Sequence, residues 1–284
     1  MGGIGVLGRP GSVVTMRRHP ANTPIGRFRV ETLEEGVDRC VATLPMEGLL
    51  SPITGTPSLG PLAVLVDHVG GLINHHRRGP DEWTVSSELS LELAPDAAAV
   101  IAAAGDQPVL AISRPLSGKH ATAVGECELL LDGIVIGSGT VRSFYIDSPG
   151  EFAESPERDG DHDVKHGLAA MMAAGPPSTE GDAVVLPQLV DPVINNSIDV
   201  VHGGIASTGL EVVASAAVNA GRPHDPLVTA SLRVNFLRQF VAGGETRYVG
   251  TALRVGRRSG VADAQAIGSD GKVAITARLT AYRC

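Results

Sequence analysis

The chain has 284 residues, length for about two domains, with a formal net charge of −8 and 43% apolar residues. The acidic balance argues against a general nucleic-acid binder, and the apolar share supports a packed core rather than a disordered chain. Three cysteines (Cys40, Cys127 and Cys284), odd in number and far apart, fit neither a disulfide framework nor a zinc knuckle and suit a reducing cytoplasm, while no apolar run approaches the roughly 20 residues that span a bilayer.

Residues 1–25 are rich in Gly and Pro and read as a flexible leader without the pattern of a signal peptide. Within them Gly3-Ile4-Gly5-Val6-Leu7-Gly8 spells G-x-G-x-x-G, but Pro10 and Gly11 break the chain at once. Without a preceding strand and a following helix the motif is not a nucleotide site. Residues 26–148 form a first domain. Residues 149–181, with Pro149, Pro156, Pro176, Pro177 and an acidic run over 151–163, have linker composition, with a short helix over 168–174. Residues 182–284 form a second domain.

The two domains read as copies of each other. Apolar stretches over 60–73 and 204–218 suit buried helices, and each carries one carboxylate, Asp67 and Glu211. These acids are 144 positions apart, as are Gly60 and Gly204. Strand-like alternation follows each helix, with Leu89, Leu91 and Leu93 in the first copy and Leu232, Val234 and Phe236 in the second. Each copy then turns at Asp-Gly, Asp132-Gly133 and Asp270-Gly271, and closes on a β-rich strand. The first copy holds about six extra residues between helix and hairpin. A buried helix followed by antiparallel strands is an α+β unit, present twice. His75, His76, Arg77 and Arg78 read as cations at a helix C-terminus, complementing its dipole.

The stretch from Asn196 to Gly204, with His202-Gly203-Gly204 and with Glu211 nine residues after the His, resembles the PaaI-like hotdog-fold acyl-CoA thioesterases. Thr229 to Arg238, Val255 to Ser259 and the Asp270-Gly271-Lys272 hairpin resemble later strands of that family. In the first copy the pattern departs at the turn: Ser58, Leu59 and Pro52 stand where the second copy has His202, Gly203 and Asn196. The resemblance implies two hotdog domains in tandem, each a long central helix wrapped by antiparallel sheet, forming an intramolecular pseudo-dimer. It also implies an acyl-CoA substrate, no metal or cofactor, no nucleic-acid or membrane partner, and a homodimer or higher homo-oligomer.

Thioester hydrolysis needs a donor for the developing oxyanion and a base or nucleophile. The first N–H groups of a helix are unpaired and lie at its positive end, so Gly203 and Gly204 are candidates to receive an acyl carbonyl. Asn196 is a candidate to orient water, and His202 to fix the loop. Glu211, eight residues beyond Gly203, would lie roughly 12 Å along the same helix, out of reach of that carbonyl. The catalytic acid is therefore expected from the other copy, as the partner subunit supplies it in hotdog dimers of the family. This pairs Asp67 with the 196–204 turn in one working site, and Glu211 with Ser58 in a second or vestigial one. Arg257 and Arg258 are candidates for the phosphates of coenzyme A.

No G-x-S-x-G elbow or H-E-x-x-H helix occurs, and Asp191-Pro192 lacks the order expected of a hotdog hydratase. A non-catalytic acyl-CoA binder is the alternative reading.

Overall fold

The computed structural model describes residues 13–148 and 165–283. The first half runs β1 (Val13–Arg18), α1 (Pro24–Arg27), β2 (Glu31–Glu35), β3 (Cys40–Leu44), α2 (Leu62–His75), β4 (Glu82–Leu93), α3 (Ala97–Ala103), β5 (Val109–Pro115), β6 (Thr122–Leu131) and β7 (Ile134–Asp147). The second runs α4 (Leu168–Met171), β8 (Ser178–Glu180), β9 (Ala183–Pro187), α5 (Gly203–Val218), β10 (Val228–Phe236), β11 (Arg247–Val255), β12 (Ser259–Ile267) and β13 (Val273–Tyr282).

All the strands join one antiparallel sheet in the order β1-β2-β3-β5-β6-β7-β4-β10-β13-β12-β11-β9-β8. The order from β3 to β4 is mirrored from β10 to β9, so the halves meet at a β4–β10 seam. There Leu91 faces Leu232 and Leu89 faces Val234, and all four side chains are buried.

Helices α2 and α5 pack side by side against this sheet. They form because their runs are long, largely apolar and free of proline, a pattern that suits a helix buried over most of its surface. Leu62, Val64, Leu65, Val66, Val69 and Ile73 on α2 are fully buried, as are Ile205, Leu210, Val212 and Val213 on α5. Each such aliphatic side chain contributes about 1.5–3 kcal/mol of transfer free energy. The helices approach closely where a glycine opens each repeat. A Cβ on Gly204 would lie 2.5 Å from the Cα of Val64, and one on Gly60 would lie 3.1 Å from Cγ2 of Thr208. The Thr208 hydroxyl donates to the Gly60 carbonyl at 3.0 Å, tying the helices together.

Three expectations change in detail. Residues 1–25 are not all leader: β1 pairs with β2, and α1, which begins at Pro24, is capped by Thr23 and buried. The linker is also shorter than expected, because α4 buries Leu168 and Met171 and β8 extends the sheet beside β9. The short helix ends at Met171 rather than at 174. The extra residues of the first half include α3, inserted between β4 and β5. The 3–8 glycine motif and the acidic run over 151–163 lie outside the described residues.

Candidate active site

The turn before α5 is assembled by local hydrogen bonds. Asn196 Oδ1 accepts from Ile198 N at 3.0 Å and Val200 N at 3.4 Å. Asp199 takes a left-handed φ of 60°, which Asp tolerates better than most residues. The His202 amide donates to the Ile194 carbonyl at 2.9 Å. A partly buried ion pair between Arg27 and Asp191 at 2.9 Å anchors the start of this segment to the first half. The turn thus delivers His202 to the N-cap of α5, where its Nδ1 accepts from Gly204 N at 3.2 Å.

Asp67 reaches the same point from α2. Its Oδ2 accepts from Gly204 N at 2.7 Å and lies 3.4 Å from His202 Nδ1. Its Oδ1 accepts from the Ser86 hydroxyl at 3.2 Å. One carboxylate from the first half therefore caps the helix of the second, where the N-terminal dipole favours a negative charge. The Gly203 N–H, at the first helical position, has no hydrogen-bond partner among the described residues.

Glu211 is placed in the mirrored arrangement. Its Oε2 accepts from Ser58 at 2.8 Å and its Oε1 from Thr229 at 2.6 Å, and the Gly60 backbone also bonds it. Burial pushes its carboxyl above the usual range, against these hydrogen bonds.

The two sites differ in access. Asp67, Ser86, Asn196, His202 and Gly203 line a cavity of about 1010 Å³, together with His68, Gly71, Trp83, Phe144 and Phe236. Glu211, only 2% exposed, is not part of that lining. Arg257 and Arg258 are not part of it either. Their carbonyls accept from Arg222 and from the Arg283 amide, just beyond the C-terminal end of α5, so they are far from the Gly203 end. Gly204 is also reassigned. Its N–H is taken by Asp67, and a Cβ there would meet the α2 backbone, so helix contact accounts for the glycine and acyl binding is not needed to explain it.

Sequence reasoning missed Ser86 and Thr229, which hold the two acids. Each directly precedes a bulge, Ser87 against β7 and Ala230 against β13. A bulge re-aims a strand side chain and leaves no mark in strand alternation. It also missed a chain of bonds on the cavity wall, in which the Thr32 hydroxyl lies 2.8 Å from Nε2 of both His19 and His68.

Burial holds His68 down to about 3, with the nearby His19 and His202 adding to the effect. Burial also lowers His19 and His202, with Arg17 adding at His19 and Asp67 opposing at His202. These rings stay neutral in the fold while the unfolded chain takes up protons near pH 6.5. Stability is therefore present above about pH 6.5 and is lost as the pH falls toward 3. His68 contributes at most about 1.4 kcal/mol per pH unit. Glu211 acts oppositely, since its raised folded value makes protonation favour the native state. The expected result is a melting temperature that falls on acidification below pH 6.5, with a shallower fall in His68→Gln. An unchanged pH dependence in that variant would refute the assignment.

Cys40 and Cys127 offer no nucleophile, because burial pushes both thiols up to about 12. Among the described residues no cluster of three or more His, Cys, Asp or Glu could hold a metal ion, and no helix is long and apolar enough to cross a membrane.

Comparison with known proteins agrees with the architecture. Residues 199–275 match the thioesterase superfamily family model, about a quarter of the chain. No curated protein matches significantly. Among solved structures, the chain is similar to the tesB protein of Mycobacterium avium subsp. paratuberculosis, at a TM-score of 0.58 and 11% identity over 89% of this chain and 95% of that one. It is similar to the acyl-CoA thioesterase II TesB2 of Mycobacterium marinum, at 0.55 and 11% over 92% and 98%. It is also similar to a hotdog-fold protein of unknown function from Alicyclobacillus acidocaldarius, at 0.50 and 13% over 87% and 93%. The fold is a tandem hotdog. Its two units share one sheet and pack their central helices together, the pseudo-dimer that the repeat predicts.

Proposed function

We propose that this protein is an acyl-CoA thioesterase, hydrolysing an acyl-CoA thioester to free acid and coenzyme A at one site built across its two halves. The observation that carries the reading is the Asp67 carboxylate on a cavity wall beside the Gly203 amide, which has no hydrogen-bond partner among the described residues. The thioesterase match over 199–275 supports it.

In the proposed reaction the thioester carbonyl oxygen points at Gly203 N–H. Asp67 takes a proton from a water molecule as the water oxygen bonds to the carbonyl carbon. The oxyanion that forms is held by the Gly203 amide and the positive end of α5. When it collapses, the C–S bond breaks and the thiolate leaves, taking the proton back from Asp67. The neutral His202 caps the helix, and Asn196 holds the loop that presents it. Ser86 fixes the carboxylate orientation. Glu211 and Ser58 form the vestigial counterpart, closed by Thr229 and Gly60. A homo-oligomer of the pseudo-dimer belongs to the proposal, and a single-chain mass at working concentration would count against that part.

The test is release of free coenzyme A thiol from a panel running from acetyl-CoA to octanoyl- and phenylacetyl-CoA. Time-dependent release proportional to enzyme is expected. Saturable binding without release would favour a non-catalytic acyl-CoA binder, and neither binding nor release would overturn both readings.

A further inference from the structure

Asp67, Gly71 and His75 lie one turn apart on a single face of α2, and all three line the cavity. Gly71 has a neighbour with a different reason to be glycine. A Cβ on Gly70 would lie 2.7 Å from Cγ2 of Val141 and 3.1 Å from the Cys127 sulfur, so packing against the sheet accounts for Gly70. A Cβ on Gly71 would meet nothing within 4 Å, and its backbone is ordinary α-helix. Neither packing nor backbone conformation calls for glycine there, and glycine weakens a helix interior relative to alanine. What glycine preserves at this position is empty volume, about 6 Å along the axis from Asp67.

We propose that Gly71 sets the width of an acyl-binding pocket; this rests on the thioesterase reading. An acyl chain whose carbonyl is held at Gly203 passes over Gly71 toward Leu72, Trp83, Val85, Phe144 and Ile146, apolar residues of the lining, of which Trp83 pairs with Ile146 and Val85 with Phe144 across β4 and β7. His68 and His75 also line the cavity, but His68 Nε2 bonds to Thr32 and His75 Nδ1 to Thr84, each at 2.8 Å. The lining also holds Asp199, from the turn before α5, and Arg238 and Gln239, from the segment after β10, all exposed and better suited to the charged, solvated coenzyme. The substrate class follows: acyl groups that extend at least one helical turn beyond the thioester carbonyl, medium-chain or aryl, in preference to acetyl.

The experiment measures kcat/KM of the wild type, Gly71→Ala and Gly71→Leu on acetyl-, butyryl-, octanoyl- and phenylacetyl-CoA, with a thermal melt of each variant and of Gly70→Ala. In Gly71→Leu the octanoyl-to-butyryl ratio should fall about tenfold or more. Gly71→Ala should raise the melting temperature, by about 2–4 °C, and Gly70→Ala should lower it. An unmoved ratio, or equal loss on every substrate, would overturn the proposal, the latter placing Gly71 under the coenzyme arm. A lower melting temperature for Gly71→Ala would overturn it too, by making Gly71 a packing glycine. If the wild type releases no thiol from any substrate, the thioesterase reading falls and this inference with it. If the wild type is active and the ratio does not move, only this inference falls.

Discussion

Asp67→Asn should lose about 10²–10⁴-fold in hydrolysis, the range contributed by a general base, while acyl-CoA still binds. The substitution keeps the side chain's size and an oxygen to accept from Gly204 N, and its amide can donate to Ser86, so the cap on α5 survives. Only the capacity to take a proton is gone. Glu211→Gln is the control in the other half and should keep most of the rate. There the burial of a charge is relieved, so its melting temperature should hold or rise. The measurement is steady-state thiol release by both variants, with folding followed by circular dichroism. A dead Glu211→Gln beside an active Asp67→Asn would mean that the acid acts from the mirrored position. Comparable large losses in both would point to two working sites.

The second expected result separates adjacent glycines. A Cβ on Gly203 would lie 2.9 Å from Asp67 Oδ2 and 3.2 Å from the Phe236 ring, both side-chain atoms that can yield. Gly203→Ala should therefore fold, yet displace the carboxylate and crowd the amide that is to hold the oxyanion, costing about 10²–10³-fold in rate. A Cβ on Gly204 would lie 2.5 Å from the Cα of Val64 and 2.9 Å from the Ala63 carbonyl, backbone atoms that cannot move without parting the helices. Gly204→Ala should act on stability, losing about 1–3 kcal/mol in the manner of an overpacked core. Denaturant unfolding and kinetics of the two variants test this together. A fully active Gly203→Ala would remove the helix terminus from the proposed chemistry, and a wild-type melt for Gly204→Ala would contradict the tight helix contact.

Much of this arrangement was legible in the residues, for identifiable reasons. The two helices are long, apolar and each marked by one carboxylate, so the repeat and its offset stood out. The helix rise alone placed Glu211 out of reach of its own N-terminus, and the structure brings Asp67 to the 202–204 turn across the halves. What stayed hidden depends on tertiary approach. Gly203 and Gly204 look equivalent in sequence, and only their neighbours tell them apart. Ser86 and Thr229 are set by bulges, which period-two alternation cannot reveal. Arg257 and Arg258 were candidates on charge alone, and charge does not say at which end of α5 a turn will fall. The Gly- and Pro-rich start reads as a leader, whereas β1, paired with β2, and Thr23, which caps α1, hold part of it in the fold.

The β4–β10 seam joins two halves of one polypeptide, and that bears on how the proposed activity responds to dilution. A site completed by a second, separate subunit empties as the protein falls below its dissociation constant. Here Asp67 and Gly203 are encoded in the same chain, so the partner is present at a fixed, high effective concentration. Specific activity should then stay constant across dilution, even where any higher assembly comes apart. Covalent joining also lifts the identity that a two-fold homodimer imposes on its paired surfaces. A substitution in one half is not copied into the other, which leaves one acid free to become a buried structural group while the other keeps its cavity.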